Sequence, residues 1–241
     1  MKNTSRSVDL NADLGEGFPN DEALLRRVTS ASICCGAHAG DHDTIAQTLS
    51  LARRYRVTVG AHPGFADREQ FGRREWPVSA LAVAELITEQ FEALNSMARE
   101  HEVSVRFVKP HGALYNQAQR DPSIAEGVIA ALLRLAVPVL GQPGGELERF
   151  ARETGVPFIS EGFPERRYGP GGRLVARSEP DAVLHDPFEI GAQALRLVAS
   201  GVRSLCIHGD DPSAVAKADI VLAALKADGV ALRGFLDPVA G

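Results

Sequence analysis

Asp9-Leu10-Asn11-Ala12-Asp13-Leu14-Gly15-Glu16 alternates polar and apolar side chains and then meets a glycine. In an extended chain successive side chains point to opposite faces, so Asp9, Asn11 and Asp13 share one face and Leu10, Ala12 and Leu14 the other. Three oxygen-bearing side chains on one face read as the lining of a cavity. The plainer alternative is a solvated strand end that turns at Gly15 and Gly17.

Working outward, seven short apolar runs recur along the chain, at 8–10, 30–35, 57–60, 103–108, 137–140, 158–160 and 203–207, and each stops at a polar cluster flanked by glycine. Between them apolar residues recur at helical spacing, as in Leu81-Ala84-Leu86-Ile87-Phe91-Leu94, Ile124-Val128-Ile129-Leu132-Leu133 and Val215-Ile220-Leu222-Leu225. Helix-start signals stand at Asp43-Thr44, Ser79, Asp121-Pro122 and Asp211-Pro212-Ser213. About seven β-α repeats predict a parallel sheet covered by helices, either closed or open and doubly wound. A doubly wound sheet concentrates its site at one switch point, whereas here polar residues end nearly every strand, which favours an α/β fold closed as a (β/α) barrel of about seven parallel strands. One domain spanning 1–241 is expected. The stretches 63–77 and 161–187, rich in Gly, Pro, Arg and aromatic residues, are long enough to close over a ligand.

The bulk numbers exclude several classes. A 241-residue chain that is 44% hydrophobic buries a full core. Its net charge of −5, with scattered Lys and Arg, offers no footprint for nucleic acid or an anionic membrane. No apolar run approaches the length of a membrane span, and Met1–Ser7 leads into a strand without a signal-peptide core. Cys34, Cys35 and Cys206 form neither a disulfide framework nor a zinc ribbon, and a reduced, cytoplasmic setting is expected.

Three further clusters carry candidate chemistry. Cys35-Gly36-Ala37-His38-Ala39-Gly40-Asp41-His42-Asp43 places His38 where, with His62 of Gly60-Ala61-His62-Pro63 and with Asp13 or Asp9, it completes a two-histidine, one-carboxylate metal site. The alternative makes Asp41 and Asp43 helix caps and His38 a structural hydrogen-bonding group. Lys109-Pro110-His111-Gly112-Ala113-Leu114-Tyr115-Asn116 ends an apolar strand with a lysine, which must find an anion or sit desolvated. A bound substrate would be its partner, unless Lys109 is exposed and His111 caps the next helix. At the last two strand ends, Arg166 or Arg167 before Tyr168 is a candidate carboxylate or phosphate grip, and His208 with Asp210 a proton-transfer pair. No phosphate loop, dinucleotide fingerprint or nucleophile elbow is present, so nucleotide chemistry belongs elsewhere.

Taken in order, the Asp-Leu-Asn-Ala-Asp-Leu-Gly-Glu start, Cys-Gly-Ala-His-Ala-Gly-Asp, Gly-Ala-His-Pro-Gly, Val-Lys-Pro-His-Gly-Ala-Leu-Tyr-Asn, Glu-Gly-Phe with its following Tyr168, and His-Gly-Asp resemble the LamB/YcsF family of 5-oxoprolinase A subunits from Val8 to about Phe235. The chain departs from that pattern at Ala37, at Pro164-Glu165 and at Gly171. The resemblance implies a barrel related to glycoside hydrolases and deacetylases. It also implies ATP-dependent opening of the lactam 5-oxoproline to L-glutamate, with two other subunits as partners and a second copy of the chain as a possible one. On that reading Asp13, His62, Lys109 and His111 are the catalytic candidates. Asn11, His38, Tyr115, Asn116, Arg166, Arg167, Tyr168 and His208 are the substrate-binding candidates, and Asp13, His38 and His62 the candidate ligands of a divalent metal. ATP is used by the complex rather than bound by a motif of this chain. A metal-dependent carbohydrate amidase or deacetylase, and a noncatalytic regulatory protein that binds the lactam, are the competing readings.

Overall fold

A computed structural model describes residues 6–177 and 179–237; the first five residues of the Met1–Ser7 leader lie outside the described residues. The seven expected strands are present as β1 (Ser7–Leu14), β2 (Ser30–Cys34), β3 (Thr58–His62), β4 (Val105–Val108), β5 (Val139–Gly141), β6 (Phe158–Gly162) and β7 (Ser204–His208). All pair in parallel, each with the next, and β1 pairs with both β2 and β7, so the sheet closes into a barrel. β1 continues beyond its apolar run to Leu14, because Asn11 and Asp13 extend the strand while facing inward. A two-residue strand, β8 (Ala231–Leu232), adds to the start of β1 at Ser7 and Val8. It carries no periodicity that a sequence pattern could reveal.

Among the described residues eight helices surround the barrel: α1 (Asp21–Leu25), α2 (His42–Tyr55), α3 (Ala80–Glu100), α4 (Gly112–Ala118), α5 (Pro122–Leu135), α6 (Glu146–Thr154), α7 (Pro187–Ala199) and α8 (Ala214–Ala227). Their starts follow local chemistry. Asp41 rather than Asp43 caps α2 by accepting the Thr44 N–H at 2.8 Å, Ser79 caps α3, and Asp121 and Asp186 cap α5 and α7 just before a proline. Each such cap satisfies an orphan N–H and is worth about 1 kcal/mol. Among the described residues no helix is long and apolar enough to cross a membrane.

The alternation of β1 sorts the two environments. Leu10, Ala12 and Leu14 pack outward with Ile33, Val59, Ala61 and Val108 in the large apolar core under the helices. At about 1.5–3 kcal/mol per fully buried aliphatic side chain, that layer is the main stabilising term. Inside the barrel the side chains are mostly polar. Asp9 accepts hydroxyl hydrogens from Thr29, Ser30 and Ser204, and the Asn11 amide donates to Glu161, Ser204 and the Leu205 carbonyl. An apolar stopper of Phe107, Leu140 and Ile159, with Phe235 edge-on to Phe107, fills the end opposite the carboxyl ends of the strands. Gly60 is required there, since a Cβ at that position would overlap the Phe107 ring.

Candidate active site

At the carboxyl ends of the strands the barrel brings Asp13, His62 and Lys109 together. Lys109, which follows β4, is 2% exposed, and its ammonium lies 2.8 Å from Asp13 Oδ1, 2.9 Å from Glu161 Oε1 and 2.9 Å from Cys206 Sγ. Burial alone would neutralise such an amine, but Asp13 and the other acidic neighbours outweigh it and hold its pKa well above the usual lysine value. The same contacts keep Asp13 a carboxylate. Burial opposes its ionisation, yet His62 and Lys109 hold the carboxyl well below the usual range. Glu161 is pushed upward by burial despite Lys109. The ammonium is therefore occupied within the protein, and in this structure Lys109 fixes two carboxylates instead of reaching the mouth as a free anion grip.

The second group is a histidine cluster. His62 Nε2 stands 3.0 Å from His111 Nδ1 and 3.5 Å from Asp13 Oδ2. His38 stacks on His111 with centroids 3.7 Å apart and places Nε2 3.2 Å from Glu16 Oε1. Burial and then His62 push the His38 pKa down to about 2, so this ring is neutral. The long loop after β3 lies directly on these rings. Gly72 has a φ of 63°, and a Cβ there would come within 2.8 Å of His38 Cβ, so only glycine lets the backbone pass.

The third group is a carboxylate–imidazole pair. Glu165 Oε1 is 2.5 Å from His208 Nδ1 and also accepts the His208 backbone N–H. When Glu165 is ionised, the ring nitrogen facing it carries the hydrogen, which leaves Nε2 bare, 4.0 Å from Asp13 Oδ2. Burial raises the Glu165 pKa to about 7, and burial with Arg177 holds His208 well below its ordinary value. Asp210, expected to serve His208, instead binds Arg73 and Arg177, one from each long loop. Those two arginines are partly exposed cations at the mouth.

Several candidates are placed elsewhere. Arg167 is exposed and donates to the Asp181 carbonyl. Arg166 is buried and donates to the Ala182 and Val175 carbonyls, so both arginines hydrogen-bond to their own loop. Asn116 is exposed on α4, and Tyr168 accepts the Phe163 N–H. Tyr115 is buried, its phenol pushed well above the usual tyrosine range by burial and then by Glu161, and Asn11 sits one layer below Asp13. The expected metal trio of Asp13, His38 and His62 is redistributed: the donor sets that converge are Glu16, His62, His111 and Asp13, Cys206, His208. His38 belongs to neither, since it turns to Glu16. Glu16, Glu161, Glu165, Arg73 and Arg177 join the site without a sequence signal that assigns them to it.

The fold and site together define a closed parallel barrel of seven strands with buried carboxylates, a lysine and imidazoles crowded at its carboxyl-terminal mouth. The chain belongs to the LamB/YcsF family, whose model matches residues 8–239. It is 42% identical over 250 residues to the 5-oxoprolinase A subunit of Paracidovorax citrulli, covering 95% of this chain and 99% of that protein. To the corresponding protein of Methylococcus capsulatus it is 40% identical over 259 residues, covering 98% and 100%. The crystal structure of the lactam utilization protein from Thermus thermophilus superposes with a TM-score of 0.87 at 36% identity, covering 95% of this chain and all of that one. A polysaccharide deacetylase from Bacillus cereus shares the fold alone, at a TM-score of 0.59 and 12% identity over 96% of this chain and 93% of that one.

Proposed function

We propose that this chain is the A subunit of a cytoplasmic, ATP-dependent 5-oxoprolinase, and that the lactam is bound and opened at the barrel mouth in a complex with two other subunits. The observation that supports this most is the meeting of a Lys109-clamped Asp13 carboxylate with a bare, Glu165-oriented His208 nitrogen beneath an arginine pair. A ring amide is resonance-stabilised, and water alone does not open it at neutral pH. Transfer of the ATP γ-phosphoryl group to the amide oxygen makes the ring carbon electrophilic. Water then adds, losing its proton to a base, and the C–N bond breaks as a proton reaches the nitrogen; a second water releases phosphate from the resulting acyl phosphate, leaving glutamate. In this reading His208, held by Glu165, takes and returns the proton once the substrate carboxylate offsets Arg177, which with burial disfavours the charged ring. Asp13 stabilises the imidazolium, and Arg73 and Arg177, which carry two positive charges against the single carboxylate of Asp210, take the substrate carboxylate. ATP is expected to bind on one of the partners.

The test is to combine purified subunits and measure 5-oxoproline-dependent ATP hydrolysis and glutamate release with and without this chain. His208→Ala is expected to lower kcat by about 10²–10⁴ with folding intact, and Arg73→Ala to raise KM for 5-oxoproline. Full turnover by the partners alone would reduce this chain to a regulatory binder. ATP-independent release of acetate from an acetylated amino sugar would make it a deacetylase instead.

A further inference from the structure

His62 and His111 approach each other in a way that neutral imidazoles avoid. His62 Nδ1 lies 2.7 Å from the Lys109 carbonyl oxygen, and His111 Nε2 lies 2.8 Å from that of Phe71. A carbonyl oxygen only accepts, so each of these nitrogens carries the ring's hydrogen. A neutral imidazole has one N–H, which leaves His62 Nε2 and His111 Nδ1 as lone pairs facing each other at 3.0 Å. Two lone pairs at that distance need a positive centre beside them, either a proton or a metal ion.

The surroundings separate these two. Glu16 Oε1 lies 3.5 Å from His111 Nδ1 and 4.0 Å from His62 Nε2, which makes a triangle of donors with edges of 3.0, 3.5 and 4.0 Å. Donors bound at about 2.0–2.1 Å in a tetrahedral shell stand roughly 3.3 Å apart, close to the mean of those edges. A shared proton needs only the two nitrogens. Its counter-charge is already supplied by Asp13, 3.5 Å from His62 Nε2, which leaves no reason for a second buried carboxyl group, Glu16, to close the triangle, or for His38 Nε2 to steady it at 3.2 Å. Backbone carbonyls that fix the outer ring nitrogens, and a neighbour that orients the carboxylate, are the supports metal ligands use.

We propose that Glu16, His62 and His111 bind one divalent transition-metal ion of the zinc type. Two imidazoles and one carboxylate leave a fourth position open, facing Asp13, whose Oδ2 is 3.5 Å from His62 Nε2. Such a set suits zinc better than magnesium, which prefers oxygen ligands and retained waters. The other convergent set, Asp13, Cys206 and His208, is excluded by Lys109, whose ammonium touches both Asp13 and Cys206 and would face the cation. When bound, the ion supplies a Lewis acid for a carbonyl or phosphoryl oxygen. The proposal goes beyond the lactam-opening reading and stands without it.

The test therefore uses the untagged full-length chain alone, without ATP, lactam or partners. Protein stripped with chelator is titrated calorimetrically with zinc chloride, and its metal content is measured after dialysis. One zinc per chain is expected, with affinity lowered at least about tenfold in Glu16→Gln, His62→Ala and His111→Ala and unchanged in His42→Ala, whose ring is exposed. The melting temperature of the wild type should rise with zinc, a readout that also serves if an alanine variant folds poorly. X-ray absorption should show only nitrogen and oxygen neighbours. A wild type that binds no more zinc than His62→Ala/His111→Ala overturns the proposal, as does a sulfur neighbour, which would move the ion to Cys206.

Discussion

Replacing Lys109 with methionine keeps the volume of the stem and removes the ammonium. Asp13 Oδ1 and Glu161 Oε1, now at 2.8 and 2.9 Å from that ammonium, would both lose their cation inside a site where Lys109, Asp13 and Glu161 are each less than 5% exposed. Breaking a buried pair costs about 3–5 kcal/mol, and a domain of this size loses about 2–4 °C of Tm per kcal/mol, so a fall of roughly 6–20 °C is expected. Part should return in Lys109→Met/Glu161→Gln, because the amide replacing the Glu161 carboxylate still accepts from Asn11 and only Asp13 is left unpaired. Without Lys109 the Glu161 pKa rises further. A carboxyl raised above its unfolded value contributes stability that is complete below the unfolded pKa and lost as pH rises through the folded one, so the deficit should be larger at pH 8 than at pH 5. Thermal melts of the wild type, Lys109→Met, Glu161→Gln and the double variant at both pH values decide it. Lys109→Met within about 2 °C of the wild type, or a double variant that melts at the sum of the separate losses, would refute the account of Lys109 as an internal clamp.

Glu165→Gln should flatten the pH dependence of stability. Glu165 is raised to about 7, so its share of stability is whole below the unfolded carboxyl pKa and fades toward pH 7, by on the order of 3 kcal/mol; an unchanged pH profile of urea midpoints would count against it. Tyr115→Phe removes a buried hydroxyl that stands by Glu161 without a hydrogen bond of good geometry, so stability should hold or rise slightly, and a loss above about 1 kcal/mol would show that the two groups are bonded. Gly60→Ala should cost about 1–3 kcal/mol through collision with Phe107, and Phe107→Leu added to it should restore part of the loss in a denaturant melt. Asp210→Asn loosens the tie between both long loops and the β7 end, so limited proteolysis should cut 163–186 faster than in the wild type.

The barrel is legible in the sequence because its signals are local. The alternation in 9–14 marks the inward face, and the polar residue ending each apolar run marks the mouth, which is why Asp13, His62, Lys109 and His111 converge as expected. Partners across the barrel are not legible. Glu161 sits mid-strand in a stretch that reads as a strand end, and its meeting with Lys109 depends on how the closed strands stagger, which no spacing along the chain encodes. Glu165 stands out only as a departure from the family pattern, yet it orients His208. Arg166 and Arg167 follow a strand as a ligand grip would, but both donate to carbonyls of their own loop, while Arg177 reaches Asp210 at the mouth. Long loops obey tertiary contacts rather than periodicity, so their cations can be counted from sequence but not placed.

The aromatic stopper made by Phe107 and Phe235 has a consequence for traffic. With one end of the cylinder filled, the opposite mouth is the face left for a ligand, and the two long loops tied together at Asp210 stand over it.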